Sequence, residues 1–194
     1  MILFKGNILN SPVNEIICHQ VNASGIATGG VAQAIFEQYP KAKFNYENLC
    51  YSKSKKSLLG TTDTFFDESG RIIVNIFGQL KYRKNMFDKR QYTDEDALEL
   101  AFSSMCHKWF NENKKQLGFK KRNEVTFAFP WLFGSDRGGA DFSIVYNLIE
   151  EYLGWANVHF YCLNKENFPE DISIYPNLRI TQRRVNRWLI MNYL

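Results

Sequence analysis

Short apolar clusters alternate along this chain between the spacing of β-strands and the spacing of helices. Compact hydrophobic runs predict strands at 2–4, 13–21, 61–66, 71–77, 125–129 and 158–163. Apolar positions at helical spacing predict helices at 31–39, 42–51, 94–110 and 142–153. Strands that alternate with helices in this way favour the α/β class.

Residues that start or stop regular structure mark the boundaries of these elements. Pro40 ends the first helix, and the turn at 67–70 joins two strands into a hairpin. Thr93 and Asp141 are placed to cap the helices that follow them. The strand at 158–163 is expected to close the sheet. For the helix after Thr93 we expect an apolar side made of Ala97, Leu98, Leu100, Ala101, Met105, Trp109 and Phe110.

Composition and charge narrow the class of protein. Hydrophobic residues make up 45% of the 194 residues and aromatic residues 15%, which is enough for a packed core. The net charge is +4, and basic residues cluster at 114–122 and at 179–187. We interpret both clusters as solvated faces, with binding of a polyanion as the alternative.

Cysteine and histidine usage gives no sign of a metal site. The four cysteines contain no Cys-x-x-Cys pair, and the three histidines add no zinc-ligand spacing. The N-terminal apolar run is too short for a signal peptide, and no run could span a bilayer. We therefore expect a reduced, cytoplasmic, monomeric protein that binds no membrane and needs no metal or other cofactor.

Two glycine-bearing loops are the candidates for a functional site. The first joins a strand to a helix at 22–30, and the second does so at 131–140. Glycine lets a ligand approach the backbone closely, and the first-turn N–H groups of a helix attract anions. Each loop alone could serve only to pack a strand against a helix. Side by side at the carboxyl edge of a sheet, the two loops would suit a diphosphate.

Both loops resemble those of macrodomains, the α/β family that binds ADP-ribose. The resemblance rests on Val21-Asn22-Ala23 with Gly29-Gly30-Val31-Ala32, on Asn75-Ile76-Phe77-Gly78-Gln79, and on Gly134-Ser135-Asp136-Arg137. It covers residues 1–163 and implies a three-layer α/β/α sandwich around a mixed sheet. Residues 164–194 are then a C-terminal extension, with a terminal helix that Thr181 caps and that packs on the domain through Val185, Trp188 and Leu189.

The resemblance also implies a set of ligand-binding residues. In the family, the residue at Asn22 meets the distal ribose, the residue at Asn7 meets the adenine amino group, and a side chain near Tyr161 lies against the base. The structural alternatives are that Asn7 and Asn22 hold their own turns and that Tyr161 belongs to the core. The full set is Asn7, Ile8, Gln20, Asn22, Ser24, Gly29, Gly30, Val31, Gln79, Phe133, Gly134, Ser135, Arg137, Gly138, Tyr161 and Leu163.

Two residues are candidates for catalysis. Asp136 resembles the acid–base aspartate of terminal ADP-ribose glycohydrolases, and His19 matches a histidine of the ADP-ribose-1''-phosphate phosphatase branch. The alternatives are that His19 is a buried strand residue bonded to a neighbour, and that Asp141 is the family's acidic residue. Gln79 stands where the glycohydrolase branch has a nucleophilic lysine, and glutamine cannot form that covalent intermediate.

The resemblance therefore implies an ADP-ribose-binding protein that hydrolyses an ADP-ribose derivative with activated water. Candidate substrates are an ADP-ribosylated target, ADP-ribose-1''-phosphate and O-acetyl-ADP-ribose. A non-catalytic reader of ADP-ribose is the alternative, favoured by the missing lysine. A third interpretation, an RNA-binding or scaffolding module, is supported by the basic clusters alone. Apart from that interpretation, nucleic acid is expected only as an ADP-ribosylated target.

Overall fold

The structure is a computed structural model that describes residues 1–85, 87–109, 124–175 and 177–181. Within these residues, the strands are β1 (Ile2–Lys5), β2 (Ile16–Asn22), β3 (Thr62–Phe66), β4 (Ile72–Gln79), β5 (Thr126–Pro130), β6 (Asn157–Cys162) and β7 (Arg179–Thr181). The helices are α1 (Gly30–Gln38), α2 (Pro40–Ser52), α3 (Lys55–Leu58), α4 (Glu95–His107) and α5 (Phe142–Leu153). Single 3₁₀ turns lie at Ile8–Asn10 and Lys165–Asn167.

The strands form one mixed sheet in the order β3-β4-β2-β5-β6-β1-β7. The predicted hairpin is β3 and β4, which pair antiparallel, and the other neighbouring pairs are parallel. β2 and β5 are direct neighbours near the middle of the sheet. The loops that follow them therefore open at the same carboxyl edge.

Alternate strand residues face two separate cores. Cys18, Val74 and Phe127 face α4 and α5, whereas Ile17 and Ile73 face α1 and α2. Because both faces of the central strands are buried, these strands appear in the sequence as continuous apolar runs rather than alternating ones. The predicted α/β/α sandwich is confirmed.

The start of α4 differs from its prediction. Asp94 caps this helix, because its Oδ1 accepts a hydrogen bond from the Ala97 N–H at 3.0 Å. Thr93 instead donates from Oγ1 to the Gly134 carbonyl at 2.6 Å. The tertiary hydrogen bond to the second loop therefore decides the role of Thr93.

Three further element predictions need correction. Leu100 is 64% exposed, and Phe102 occupies the core one turn after Leu98. The apolar pattern predicts no helix between 51 and 61, but the short helix α3 lies in this exposed segment. The strand β6 does not close the sheet, since β1 and β7 lie beyond it.

Part of the predicted C-terminal extension belongs to the sheet. β7 pairs in parallel with β1, and the Tyr175 ring packs 5.4 Å from that of Trp131 and 5.0 Å from that of Tyr146, between centroids. The domain boundary at 163 stays a prediction. Phe110, the basic cluster at 114–122 and the predicted helix with Val185, Trp188 and Leu189 lie outside the described residues.

Candidate functional site

A cleft of about 150 Å³ lies at the carboxyl edge of the sheet, between the loop after β2 and the loop after β5. Residues 26–32, the end of β4 with residues 82–83, and residues 130–134 and 136–138 form its walls. Most of the residues predicted from the sequence line it: His19, Gln20, Asn22, Gly29, Gly30, Val31, Gln79, Phe133, Gly134, Asp136, Arg137 and Gly138. The structure therefore brings these separate motifs into one site.

The other predicted residues do not line this cleft; they are Asn7, Ile8, Ser24, Ser135, Tyr161 and Leu163. Asn7 Oδ1 accepts a hydrogen bond from the Leu9 N–H at 3.0 Å and so caps the first 3₁₀ turn. Tyr161 is buried and donates to Glu15 at 2.7 Å. Asn7 thus holds its own turn and Tyr161 belongs to the core, as the alternatives to ligand binding predict.

Asn22 holds the first loop in shape. Its Nδ2 donates to the Ile26 carbonyl at 2.5 Å, and its Oδ1 accepts from the Ser24 N–H at 3.0 Å. Tyr46 of α2 donates to the main-chain oxygen of Asn22 at 2.7 Å. The buried amide therefore serves the loop's own turn in this conformation and directs the chain toward Gly29.

The N-terminus of α1 offers uncapped N–H groups to the cleft. Gly29 is the N-cap residue and gives no side-chain hydrogen bond, and the first turn contains no acidic residue. Gly30, Val31 and Ala32 line the cleft. Because uncapped first-turn N–H groups carry partial positive charge, this helix end favours an anion.

The N-terminus of α5 is already occupied by a carboxylate. Asp141 Oδ1 accepts from the Ser143 N–H at 2.8 Å and from its hydroxyl at 2.8 Å, and these bonds lower the pKa of Asp141. Asp141 does not line the cleft. The N-terminus of α1 is therefore open to an anion, whereas that of α5 is capped by the protein's own carboxylate.

A hydrogen-bonded floor joins the two loops beneath the cleft. Gln20 Nε2 donates to Gln79 Oε1 at 2.6 Å and to Thr93 Oγ1 at 2.8 Å, and Thr93 bonds the second loop. A Cβ at Gly138 would lie only 2.2 Å from the Gly134 carbonyl oxygen, so glycine is required there. This floor fixes the spacing of the loops in the structure.

His19 belongs to the wall of the cleft but is only 1% exposed. Its Nε2 lies 2.7 Å from Asn75 Oδ1, while Asn75 Nδ2 donates to Asp63 at 3.1 Å. Since that amide presents its oxygen to the ring, we assign the imidazole proton to Nε2. Burial lowers the pKa of His19 to about 4, only partly offset by the bond to Asn75, so the ring is neutral at pH 7.

Among the residues that the structure describes, three charged side chains line the cleft: Asp136, Arg137 and Arg83. Arg137 lies directly on the first loop, because a Cβ at Gly29 would be 1.6 Å from its Nη1. The cleft of about 150 Å³ is smaller than the roughly 300 Å³ of the smallest typical ligand sites. The Arg137 side chain occupies part of the space that a ligand of nucleotide size would need.

Three buried polar atoms around the cleft have no hydrogen-bond partner within the described part of the chain: His19 Nδ1, Gln20 Oε1 and Arg83 Nε. Buried polar atoms in native proteins are normally satisfied by protein groups or water. Water or a polar ligand in the cleft could satisfy those of these atoms that reach it.

The sequence prediction missed Tyr82 and Arg83. Five basic residues between 80 and 93 are typical of a solvated loop, and this composition gives no sign of a binding site. Their position in the chain could have identified them. Tyr82 and Arg83 come soon after the end of β4, and β4 ends at the same edge of the sheet as β2. Across the described ranges, no group of His, Cys, Asp and Glu side chains could hold a metal ion, and no helix is long and apolar enough to cross a membrane.

Comparison with known proteins finds one relative by sequence and several solved structures with a similar fold. No protein-family model matches the chain. A curated protein of Lodderomyces elongisporus, named ADP-ribose 1''-phosphate phosphatase, is 28% identical over 121 residues, which are 60% of this chain and 74% of that protein.

Solved structures share the fold at low sequence identity. The macrodomain of Thermus aquaticus DarG aligns with a TM-score of 0.60 and 20% identity, over 84% of this chain and 98% of that one. Thermosipho africanus DarTG, solved in complex with ADP-ribose, aligns with a TM-score of 0.57 and 20% identity, over 80% of this chain and 39% of that one. These likenesses and the sequence relative confirm the resemblance to macrodomains.

Proposed function

This chain has the macrodomain fold, and from that premise we propose that it binds ADP-ribose in the cleft and hydrolyses an ADP-ribose derivative. The observation that carries the proposal is the meeting of three features in one cleft. These features are the uncapped N-terminus of α1, the glycine loop after β5, and the unpartnered polar atoms of Gln20 and Arg83. A diphosphate between two such loops receives backbone N–H groups from both sides.

The bound ligand would follow the two loops. Its diphosphate would lie between the first turn of α1 and Gly134, with the distal ribose toward Asn22 and Gln79. Arg137 would leave Gly29 to make room for the ligand and would remain beside the diphosphate as a counter-charge. The DarTG structure with ADP-ribose supports this ligand class, since it shares the fold.

Asp136 is the proposed general base, because it is the carboxylate among the described residues that line the cleft. It would take a proton from a water molecule whose oxygen attacks the group on the distal ribose. With ADP-ribose-1''-phosphate, the attack would occur at phosphorus and the P–O bond to the ribose would break. The ribose oxygen would then take a proton, which gives ADP-ribose and inorganic phosphate. The name of the L. elongisporus relative favours this substrate as the first to test.

A pair of aspartate variants tests the chemistry. We expect Asp136→Asn to lower turnover about a hundredfold or more, as loss of one acid–base group does. Asp141→Asn is the matched control, because asparagine caps a helix as well as aspartate and Asp141 lies outside the cleft. Both variants and the wild type are assayed with ADP-ribose-1''-phosphate, O-acetyl-ADP-ribose and ADP-ribosylated protein. Loss of turnover in Asp141→Asn alone would assign the acidic role to Asp141 instead.

The second candidate function is a non-catalytic reader of ADP-ribose. It is favoured by Gln79, which stands where a glycohydrolase lysine would be and accepts a hydrogen bond from Gln20 at 2.6 Å. A reader would bind ADP-ribose and turn over none of the three substrates. That outcome would reject the hydrolase and leave the binding proposal standing.

A further inference from the structure

The hydrogen-bonded floor of the cleft ends in a side-chain amide that lines the cleft. Gln79 is half-buried, and its Oε1 accepts a hydrogen bond from Gln20 Nε2 at 2.6 Å. Gln79 Nε2 has no hydrogen-bond partner within the described residues. Because an amide nitrogen carries two N–H donors, Gln79 offers the cleft an uncharged donor that no described group of the protein uses.

The order of the hydrogen bonds in the floor determines which end of each amide is nitrogen. The Gly134 carbonyl can only accept, so the Thr93 hydroxyl, 2.6 Å away, has to give it its single proton. Thr93 Oγ1 can then only accept, and the Gln20 atom 2.8 Å from it has to be nitrogen. That same NH₂ group lies 2.6 Å from Gln79 and requires its oxygen. A main-chain carbonyl of the second loop thus fixes the nitrogen as the free end of the Gln79 amide.

The main chain places Gln79 beside the first loop. Gln79 pairs with Asn22 at the end of β2, and its carbonyl accepts from the Ala23 N–H at 2.8 Å. This is the part of the cleft toward which the proposed function directs the distal ribose and the group to be removed from it. The N-terminus of α1 and Arg137 are assigned there to the diphosphate, so Gln79 Nε2 is available for the group on the ribose.

We infer that Gln79 is a catalytic residue whose Nε2 donates a hydrogen bond to a non-bridging oxygen of the acyl or phosphoryl group that water attacks. Thr93 and Gln20 are the positioning residues that hold this donor in place. The inference rests on the proposed function. It assigns a catalytic role to the glutamine itself, at the position where the glycohydrolase branch has a nucleophilic lysine.

The chemistry requires a donor and no proton transfer from Gln79. With O-acetyl-ADP-ribose, attack of water at the carbonyl carbon moves an electron pair onto the carbonyl oxygen, and the C–O bond to the ribose then breaks to release acetate. With ADP-ribose-1''-phosphate, negative charge is spread over the equatorial oxygens of the phosphoryl group. In both reactions the amide keeps its protons and stabilises the charge because the donor is oriented before the reaction begins.

Kinetics and calorimetry of Gln79 variants test the inference. Gln79→Met keeps the length of the side chain without the N–H donors, and we expect it to lower kcat about a hundredfold or more, as loss of one such donor does. ADP-ribose lacks the attacked group, so its dissociation constant should change less than about threefold. Gln79→Glu can still accept from Gln20 and should lose turnover as strongly. The control is Gln38→Met at the exposed end of α1, which should keep both quantities within about twofold.

The positioning role of Thr93 has its own test. Thr93→Val removes the hydroxyl that fixes the order of the amides, so we expect kcat to fall about tenfold or more, as it does when a catalytic group is misplaced. The affinity for ADP-ribose should change less than about threefold. Thr93→Ser keeps the hydroxyl and should restore most of the turnover. Failure of Thr93→Ser to restore turnover would contradict the positioning role.

The remaining outcomes separate this inference from the proposed function. Wild-type kcat in Gln79→Met would overturn the inference while the proposed function stands. A loss of ADP-ribose affinity as large as the loss of kcat/KM would assign Gln79 to ligand binding and overturn it as well. A wild type that binds ADP-ribose but hydrolyses no substrate would reject the hydrolase, and with it this role of Gln79. Thermal melting checks the fold of each variant, and Gln79→Glu, which keeps the bond to Gln20, replaces Gln79→Met if the latter does not fold.

Discussion

At the scale of single residues, burial rather than residue type decides what a polar side chain does. His19 and Asn75 sit opposite each other on neighbouring strands, and Asp63 follows Asn75 on the next strand. This line of polar groups crosses three strands on the face that packs against α1 and α2, with the Phe36 ring 5.3 Å from the imidazole. The imidazole is therefore held neutral in an apolar layer.

The lowered pKa of His19 makes stability depend on pH. The pKa is about 4 in the folded chain against 6.5 for the unfolded reference, so the unfolded chain binds more protons between these values. The contribution of His19 to stability is complete above about pH 6.5 and is lost as pH falls toward 4, by about 3 kcal/mol in total. Urea unfolding at pH 7 and pH 4.5 measures this loss.

The control for this prediction is His19→Gln, whose side-chain amide can still donate to Asn75 without titrating. We expect the variant to have a flatter dependence of unfolding free energy on pH than the wild type. Identical pH dependence in the two proteins would contradict the buried, neutral assignment of His19. If His19→Gln also lost turnover of ADP-ribose-1''-phosphate alone, the catalytic hypothesis for His19 would gain support.

The sequence identifies which polar residues gather at the site but not the atoms they bond. Asn7 and Asn22 bond within their own turns, which is one of the two alternatives that the sequence offers for each, whereas Thr93 bonds the second loop. Thr93 could cap α4 by its position, yet the second loop passes close enough to take its hydroxyl. Such choices depend on distances between segments far apart in the chain.

At the scale of elements, the glycine loops carry the site. Gly134 has φ of +74° and Gly70 has φ of +83°, so an alanine is strained at either position. A Cβ at Gly134 would lie 3.0 Å from Gln20 Oε1 in the floor of the cleft, whereas one at Gly70 meets nothing within 4 Å. An alanine would therefore cause similar backbone strain at both positions, but only Gly134 lies beside the floor of the cleft.

This difference gives a matched pair of variants. Gly134→Ala and Gly70→Ala should each lower the unfolding free energy by about 1 kcal/mol, because both force a Cβ into the left-handed region. We expect only Gly134→Ala to weaken ADP-ribose binding, by about tenfold or more, since it disturbs the floor that spaces the loops. Denaturant unfolding and calorimetry measure the two effects. Wild-type affinity in Gly134→Ala, or an equal loss in Gly70→Ala, would contradict the role of the second loop.

Most strands and helices could be predicted because two-sided burial produces strong apolar runs. The features that the sequence does not predict are those that contacts between distant elements decide. β7 has only three residues, too few for a periodic signal, and it forms because the edge of β1 is available to pair. Leu100 and Phe102 are both apolar and close together on α4, and the packing of α5 decides which of them is buried.

At the scale of the whole molecule, topology creates the cleft. β2 leads to α1 on one face of the sheet, and β5 leads to α5 on the other face. Because β2 and β5 are adjacent, their loops diverge in opposite directions and leave a crevice between them. Both loops could be recognised in the sequence, but this adjacency depends on strand order, which local patterns do not encode.

The measurement that tests the central claim most directly is a calorimetric titration of the wild-type protein with ADP-ribose and with AMP. We predict a dissociation constant of about 1 μM for ADP-ribose, or about −8 kcal/mol, at one site per chain. AMP lacks the second phosphate and the distal ribose that the two loops would hold, so it should bind about thirtyfold or more weakly. Equal affinity for the two ligands, or no binding of ADP-ribose, would contradict the account.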